Sequence, residues 1–289
     1  MLRMIGRVLV VMAGLVLLAS FGGDLHGLGD SLAVFRPVIL IGSALVAALV
    51  WRWRGAQILV ACVLGVGIWH GTGFAHNSGP SLQADVTLYQ KNMLFLPRDR
   101  DALVEDIVGS GADVVTLQEV SHANLPTLDR LRDVYPHQLV CNAHSVGAVA
   151  VLSRTALVQE TCAKAPGMAM TLTDVRGVEV RVISVHLHWP YPFSQQRHAR
   201  SLLGDISTDW DGATVIGGDF NMVASGRSLA WFEATTNTNR VGPLERTFDL
   251  YGYPLGIDHV LATGGRGALD VRPQLGSDHY GLLAWIDLP

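Results

Sequence analysis

The strongest constraint on this 289-residue chain is a series of short apolar runs that each stop in polar, chemically capable residues. Residues 213–216 run into Gly217-Gly218-Asp219-Phe220-Asn221, and residues 86–89 into Gln90-Lys91-Asn92. Residues 113–117 end in Gln118-Glu119, residues 180–185 in His186-Leu187-His188, and Ile257 is followed by Asp258-His259. Gly276-Ser277-Asp278-His279 closes the series near the C-terminus. Short runs rich in β-branched side chains read as buried strands, and the loops that follow strands are where functional groups are presented. Taken singly, each ending also reads as an Asx turn or a solvated strand end. The series as a whole is what constrains the fold.

Between these runs the pattern alternates. Residues 100–108, 124–134 and 194–208 read as helices, the last with Ser194 as N-cap and Arg197 and Arg200 on an exposed face. Residues 114–117, 146–152, 169–175 and 178–185 read as strands, with Arg176-Gly177 as a tight hairpin turn between the last two. Hairpins mixed with strand–helix alternation suit two packed sheets with helices outside. The segment after residue 80 is long enough to bury its own core.

In chain order, Asn92, Glu119, His186, Asp219-x-Asn221, Asp258 and Asp278-His279 resemble the motif series of the endonuclease/exonuclease/phosphatase superfamily, which includes DNase I-like nucleases, phosphatases and sphingomyelinases. The resemblance covers residues 84–289. It implies a two-sheet α/β sandwich and metal-dependent hydrolysis of a phosphate ester. The chemistry suits the residue types, because Mg²⁺ (or Mn²⁺) prefers hard oxygen ligands. By resemblance, Asn92, Glu119 and Asp278 are the metal positions. His279 is the general base, oriented by Asp258. Asp219 and Asn221 orient the nucleophile, and His186 donates to a phosphoryl oxygen. His188 lies two residues beyond His186 and shares its face if the strand continues that far, whereas His259 points away from Asp258 and reads as a packed histidine.

The first 75 residues suit a different solvent. Apolar stretches at 5–23, 32–51 and 56–74 each approach the roughly 20 residues needed to cross a bilayer. A cleaved signal peptide is the rival reading for the first alone. Three spanning helices are expected, with Arg7 and Arg36 snorkelling near their ends and a linker at 76–83. Arg3, Arg7, Arg52 and Arg54 place residue 1 and residues 52–55 in the cytoplasm, so the catalytic domain of this multi-pass membrane protein is expected outside it.

Charge and cysteines bear on partners and compartment. The chain carries −4 overall, but residues 81–289 hold 16 Lys and Arg against 23 Asp and Glu, a net −7. Nucleic-acid binding draws on phosphate neutralisation by a basic face, so a nuclease is disfavoured as against a lipid or small-molecule phosphoesterase. A non-catalytic binding protein on the same fold is the third reading. Cys62 reads as a small apolar residue, whereas Cys141 and Cys162 either pair in an oxidising compartment or remain free thiols. The sequence leaves the substrate and the oligomeric state open.

Overall fold

Strand β1 (Val86–Asn92) is buried along its whole length, as a strand with both faces covered must be. Its alternation divides the labour: Val86 and Leu88 face the second sheet, while Tyr89 joins Leu103 and Ile107 beneath an outer helix. The chain is described here from a computed structural model that covers residues 2–72, 84–143 and 145–289. The linker expected at 76–83 lies outside the described residues.

After β1 come β2 (Val114–Gln118), β3 (His137–Cys141), β4 (Val149–Ser153), β5 (Leu157–Cys162), β6 (Met168–Val175) and β7 (Val178–His186). They are followed by β8 (Ala213–Asp219), β9 (Asn239–Arg240), β10 (Phe248–Leu250), β11 (Tyr253–Leu255), β12 (Asp258–Ala262), β13 (Arg266–Arg272) and β14 (Gly281–Asp287). Two six-stranded sheets form, ordered β13-β14-β1-β2-β4-β3 and β5-β6-β7-β8-β12-β9, and β10-β11 is a separate hairpin. The sheets pack through Val86, Val114, Val149, Val182, Val215 and Val260. This is the two-sheet α/β sandwich expected from the motif series.

Each sheet contains one parallel pair, β1–β2 and β7–β8. Parallel neighbours need a crossover. The helix at Asp101–Ser110 supplies it in the first sheet and the helix at Gln195–Leu203 in the second. The expected helix at 124–134 is shorter, Leu125–Arg130, and opens with Pro126 in its first turn, where a missing N–H costs nothing. Ser194 does not cap as expected: its φ is +64° and its side chain makes no cap bond. The Arg176-Gly177 turn holds, both residues having positive φ, as a type I′ hairpin requires. A disulfide joins Cys141 at the end of β3 to Cys162 at the end of β5, stapling the edges of the two sheets and resolving the alternatives left by the sequence.

The N-terminal region contains α1 (Leu2–Ala19), α2 (Leu28–Val34), α3 (Arg36–Leu49) and α4 (Arg54–Thr72). Among the described residues no single helix is long and apolar enough to cross a membrane; α2 and α3 together have the length and composition, but are bent by 77°. The expectation of three single spanning helices is therefore not met, and the second apolar stretch is moreover broken in two. Pro37 explains the break, because it suits the first turn of a new helix and not the interior of a continuous one. Helices α1, α3 and α4 pack around Val10, Leu17, Leu40, Ala47, Ala56 and Leu59. Their other faces expose large apolar side chains, including Leu18, Leu45, Leu49 and Ile68.

Arg7 lies over the Trp53 ring at one end of this bundle. At the other end Arg36 is buried rather than snorkelling: it donates to the Ser20 hydroxyl and carbonyl and covers the Phe21 ring. The segment between α1 and α3 grips the sandwich. The buried Asp30 carboxylate accepts the Arg227 backbone N–H at 2.9 Å and the Gln196 amide at 2.7 Å. Tyr253 on β11 donates to the Val34 carbonyl and packs against Phe35. The sandwich thus sits at the bundle end opposite Arg3, Arg7, Arg52 and Arg54.

Candidate active site

The four parallel strands end together. Asn92 closes β1, Glu119 follows β2, His186 closes β7 and Asp219 closes β8, with His186 and Asp219 in register as neighbours. Antiparallel β12 begins at the same end, with Asp258 opposite Asp219. Carboxyl ends of parallel strands are where α/β sheets present their ligand sites. Gly217 lets the sheets close here, since a Cβ at that position would lie 2.2 Å from the Thr116 hydroxyl of the facing sheet. The glycines of the Gly-Gly-Asp motif are therefore packing residues, and the Asp is the chemical one.

His279 and Asp258 form the pair expected. The Nδ1 of His279 lies 2.9 Å from Asp258 Oδ2, and both side chains are buried. The other carboxylate oxygen of Asp258 accepts from the Gln90 amide at 3.0 Å. Burial works to raise the Asp258 pKa, but His279, Thr247 and Gln90 bring it below the ordinary carboxylate value. Burial works to lower that of His279, and the Asp258 and Asp219 carboxylates override it, so the imidazole holds its proton well above the usual range. Its Nε2 stands 3.8 Å from Asp219 Oδ2.

A second group of polar side chains adjoins the first. The Asn92 amide nitrogen bridges Glu119 Oε1 at 3.1 Å and Asp219 Oδ2 at 2.9 Å, while its oxygen accepts the Leu94 N–H. Asn92 thus ties the two carboxylates together. Glu119 has a positive φ of 56° and accepts the Phe95 N–H through its second oxygen. His186 Nε2 is 3.8 Å from Glu119 and 3.7 Å from Asp219. Burial, aided by the charge of His279, lowers the His186 pKa to about 4, which leaves a neutral ring. Burial raises the pKa of both Glu119 and Asp219.

Asn221 donates to the Leu187 carbonyl at 2.8 Å, and its backbone N–H is held by Asp219. Its Oδ1 is buried and, among the described residues, has no donor in reach. Asp278 is exposed and lies at the edge, close enough to add to the raised pKa of Glu119. Seven of the eight expected residues therefore meet in one constellation, buried except for the partly exposed Glu119, and Asp278 borders it. Asp219, Asp258 and His279 offer ligand atoms within 4.8 Å of one another, a group able to hold a metal ion. Asp258 has little left to give, since His279 and Gln90 already occupy its oxygens. The Glu119–Asp219 side has carboxylates of raised pKa and, among the described residues, no Lys or Arg bonded to them, His279 standing 3.8 Å away from Asp219. Together with the unpartnered Asn221 oxygen, that is the donor chemistry a hard divalent ion needs.

Three supporting residues escaped sequence reasoning. Lys91 is wholly buried and donates to the carbonyls of Pro273 at 3.0 Å and His279 at 2.6 Å, fixing the segment that carries the base. Burial lowers its pKa to about 7. Gln195 donates to the carbonyls of His188, Phe220 and Asn221. Gln90 joins Asp258 to Gln118 across the sheets. Lys91 adjoins a motif position, but nothing local signals where its amine goes. The two flanking histidines are also placed. β7 ends at His186, so His188 leaves the strand face and stacks, exposed, on His198. His259 is packed as expected, with Nε2 at 2.8 Å from the Met222 carbonyl.

The family model for "Endonuclease/Exonuclease/phosphatase family" matches residues 90–279, and the chain belongs to that family. Among solved structures, it resembles beta toxin from Staphylococcus aureus with bound magnesium ions (17% identity, TM-score 0.54, 70% of this chain and 100% of that one). It also resembles sphingomyelinase C from Streptomyces griseocarneus (16%, 0.51, 71% and 100%) and truncated TDP2 from Caenorhabditis elegans (17%, 0.53, 69% and 96%). At these identities the likeness is one of fold. A search of curated protein sequences finds no significant match.

Proposed function

We propose that this chain is a membrane-anchored, Mg²⁺-dependent phosphoesterase whose catalytic domain lies outside the cytoplasm. The observation that carries the catalytic part is the convergence of Asn92, Glu119, His186, Asp219, Asn221, Asp258 and His279 at one end of the sandwich. Glu119, with Asn92 and Asp278 beside it, would hold the ion, which when bound neutralises phosphoryl charge and acidifies a water. His279, oriented by Asp258, holds or takes the proton at Nε2, the nitrogen that faces Asp219. In the absence of a cation that nitrogen keeps its proton; positive charge near Asp219 and Glu119 would offset the carboxylates that hold it there. Neutral His186 and the Asn221 side chain line the space where phosphoryl oxygens would sit.

The membrane part rests on the bundle of α1, α3 and α4, which exposes apolar side chains outward as a lipid-facing bundle would. The net −7 of residues 81–289 favours a lipid head group or a small phosphorylated molecule over nucleic acid as substrate. The test is a panel of lipid, nucleotide and nucleic-acid substrates offered to the purified full chain. Turnover of at least one phosphate ester is expected with Mg²⁺ or Mn²⁺, and its abolition by EDTA. Undiminished turnover in chelator would refute the metal-assisted mechanism.

A further inference from the structure

A cavity of about 760 Å³ lies between the helical region and the sandwich, and none of the catalytic residues lines it. One wall comes from Ala33, Val34 and Pro37 with Trp69 of α4, and the other from Val223, Ala224 and Leu255. Its volume falls within the roughly 300–1,000 Å³ typical of ligand sites. Several of the polar groups on its walls are engaged within the chain, although the Ser225 hydroxyl is buried without a partner among the described residues. Glu233 accepts the Arg240 backbone N–H, the Arg240 guanidinium donates to the Gly242 carbonyl, and Arg246 pairs with Asp249. The surface that the cavity offers a ligand is mainly apolar.

Its position indicates the source of that ligand. Trp69 lines the cavity and is also 54% exposed, beside the outward face of α4 on which Leu64 and Ile68 lie one turn apart. The cavity is thus continuous with the apolar belt of the bundle. We infer that it takes an acyl chain of a bilayer phospholipid, wedged between the anchor and the catalytic domain. The inference rests on the membrane-anchored reading above. Such a lipid would touch the loop two residues beyond Asn221 and the strand just before Asp258, so its occupancy would brace both catalytic loops from behind.

The test reconstitutes the full chain, in EDTA so that turnover plays no part, into bilayers of phosphatidylcholine carrying a photoactivatable diazirine in the acyl chain. Labelled peptides are then mapped by mass spectrometry. Label on residues 223–225 and 253–256, together with label on the bundle, is the expected result. Ala224→Phe, which fills the cavity, should remove the first and keep the second. Ala33→Leu fills it from the opposite wall and serves the same comparison where Ala224→Phe fails to fold, as judged by circular dichroism. Label confined to the bundle, or cavity label unchanged by either filling substitution, overturns the inference and leaves the anchor standing. No label on the bundle overturns the anchored reading itself, and the inference with it.

Discussion

At the level of single residues, the His279–Asp258 pair is the strongest claim on chemistry. If Asp258 serves by holding the imidazole, the two act as one unit, and such units are non-additive when mutated. His279→Ala should lower kcat by a factor on the order of 10² to 10⁴. Asp258→Asn should lose less, because the ring remains. The double variant should be little worse than His279→Ala alone, and losses that multiply would give Asp258 a separate task. His259 sets a pH dependence of stability instead. Burial holds its folded pKa near 4, below the unfolded value of about 6.5. Between those values the unfolded chain binds more protons, so stability is full above pH 6.5 and drains away as pH falls toward 4. His259→Gln should therefore lose less melting temperature than wild type between pH 7.5 and 4.5. Equal losses would mean that His259 does not titrate on unfolding.

Among the elements, the bond between the ends of β3 and β5 ties edge strands of different sheets across a separation of 21 residues. Closing a loop of that length removes unfolded-state entropy worth about 3 kcal/mol. Reduction, or Cys141→Ser with Cys162→Ser, should lower the melting temperature by on the order of 10 °C in a domain of this size. A calorimetric scan indifferent to reductant would show that the staple carries no stability. The hairpin β10–β11 is the other element with a double role. Phe248 packs against the His279 ring while Tyr253 holds Val34 and Phe35, so one short ribbon touches both the base and the helical region.

For the whole molecule, the decisive relation is between the bundle and the sandwich. The segment carrying Asp30 fastens the sandwich to one end of the bundle, and the four arginines lie at the other. On the membrane-anchored reading, the positive-inside rule assigns the arginine end to the cytoplasm. A C-terminal alkaline phosphatase fusion should then be active, and a fluorescent reporter that matures only in the cytoplasm should stay dark. The reverse pattern would invert the orientation.

Much of this was legible in the chain itself, for a physical reason. Apolar runs report burial, so the strands and the polar residues at their ends could be read from local pattern, whereas the sandwich and the roles of the set from Asn92 to His279 came from the family resemblance that the ordered series carries. Arg176-Gly177 could be read too, because a two-residue turn is a local decision. Tertiary structure alone decided the partners. Nothing near Lys91 says that its amine will reach the His279 carbonyl, nor does anything near Asn92 say that its amide nitrogen will bridge Glu119 and Asp219. Ser194 looked like a cap but is turned into a left-handed conformation, and Arg36 looked like a snorkelling end but is buried against Ser20 and Phe21. Local periodicity encodes which side of an element meets solvent. Which atom meets which is encoded only in the packing of segments far apart in the chain, where cavities, disulfides and hydrogen-bonded pairs are made.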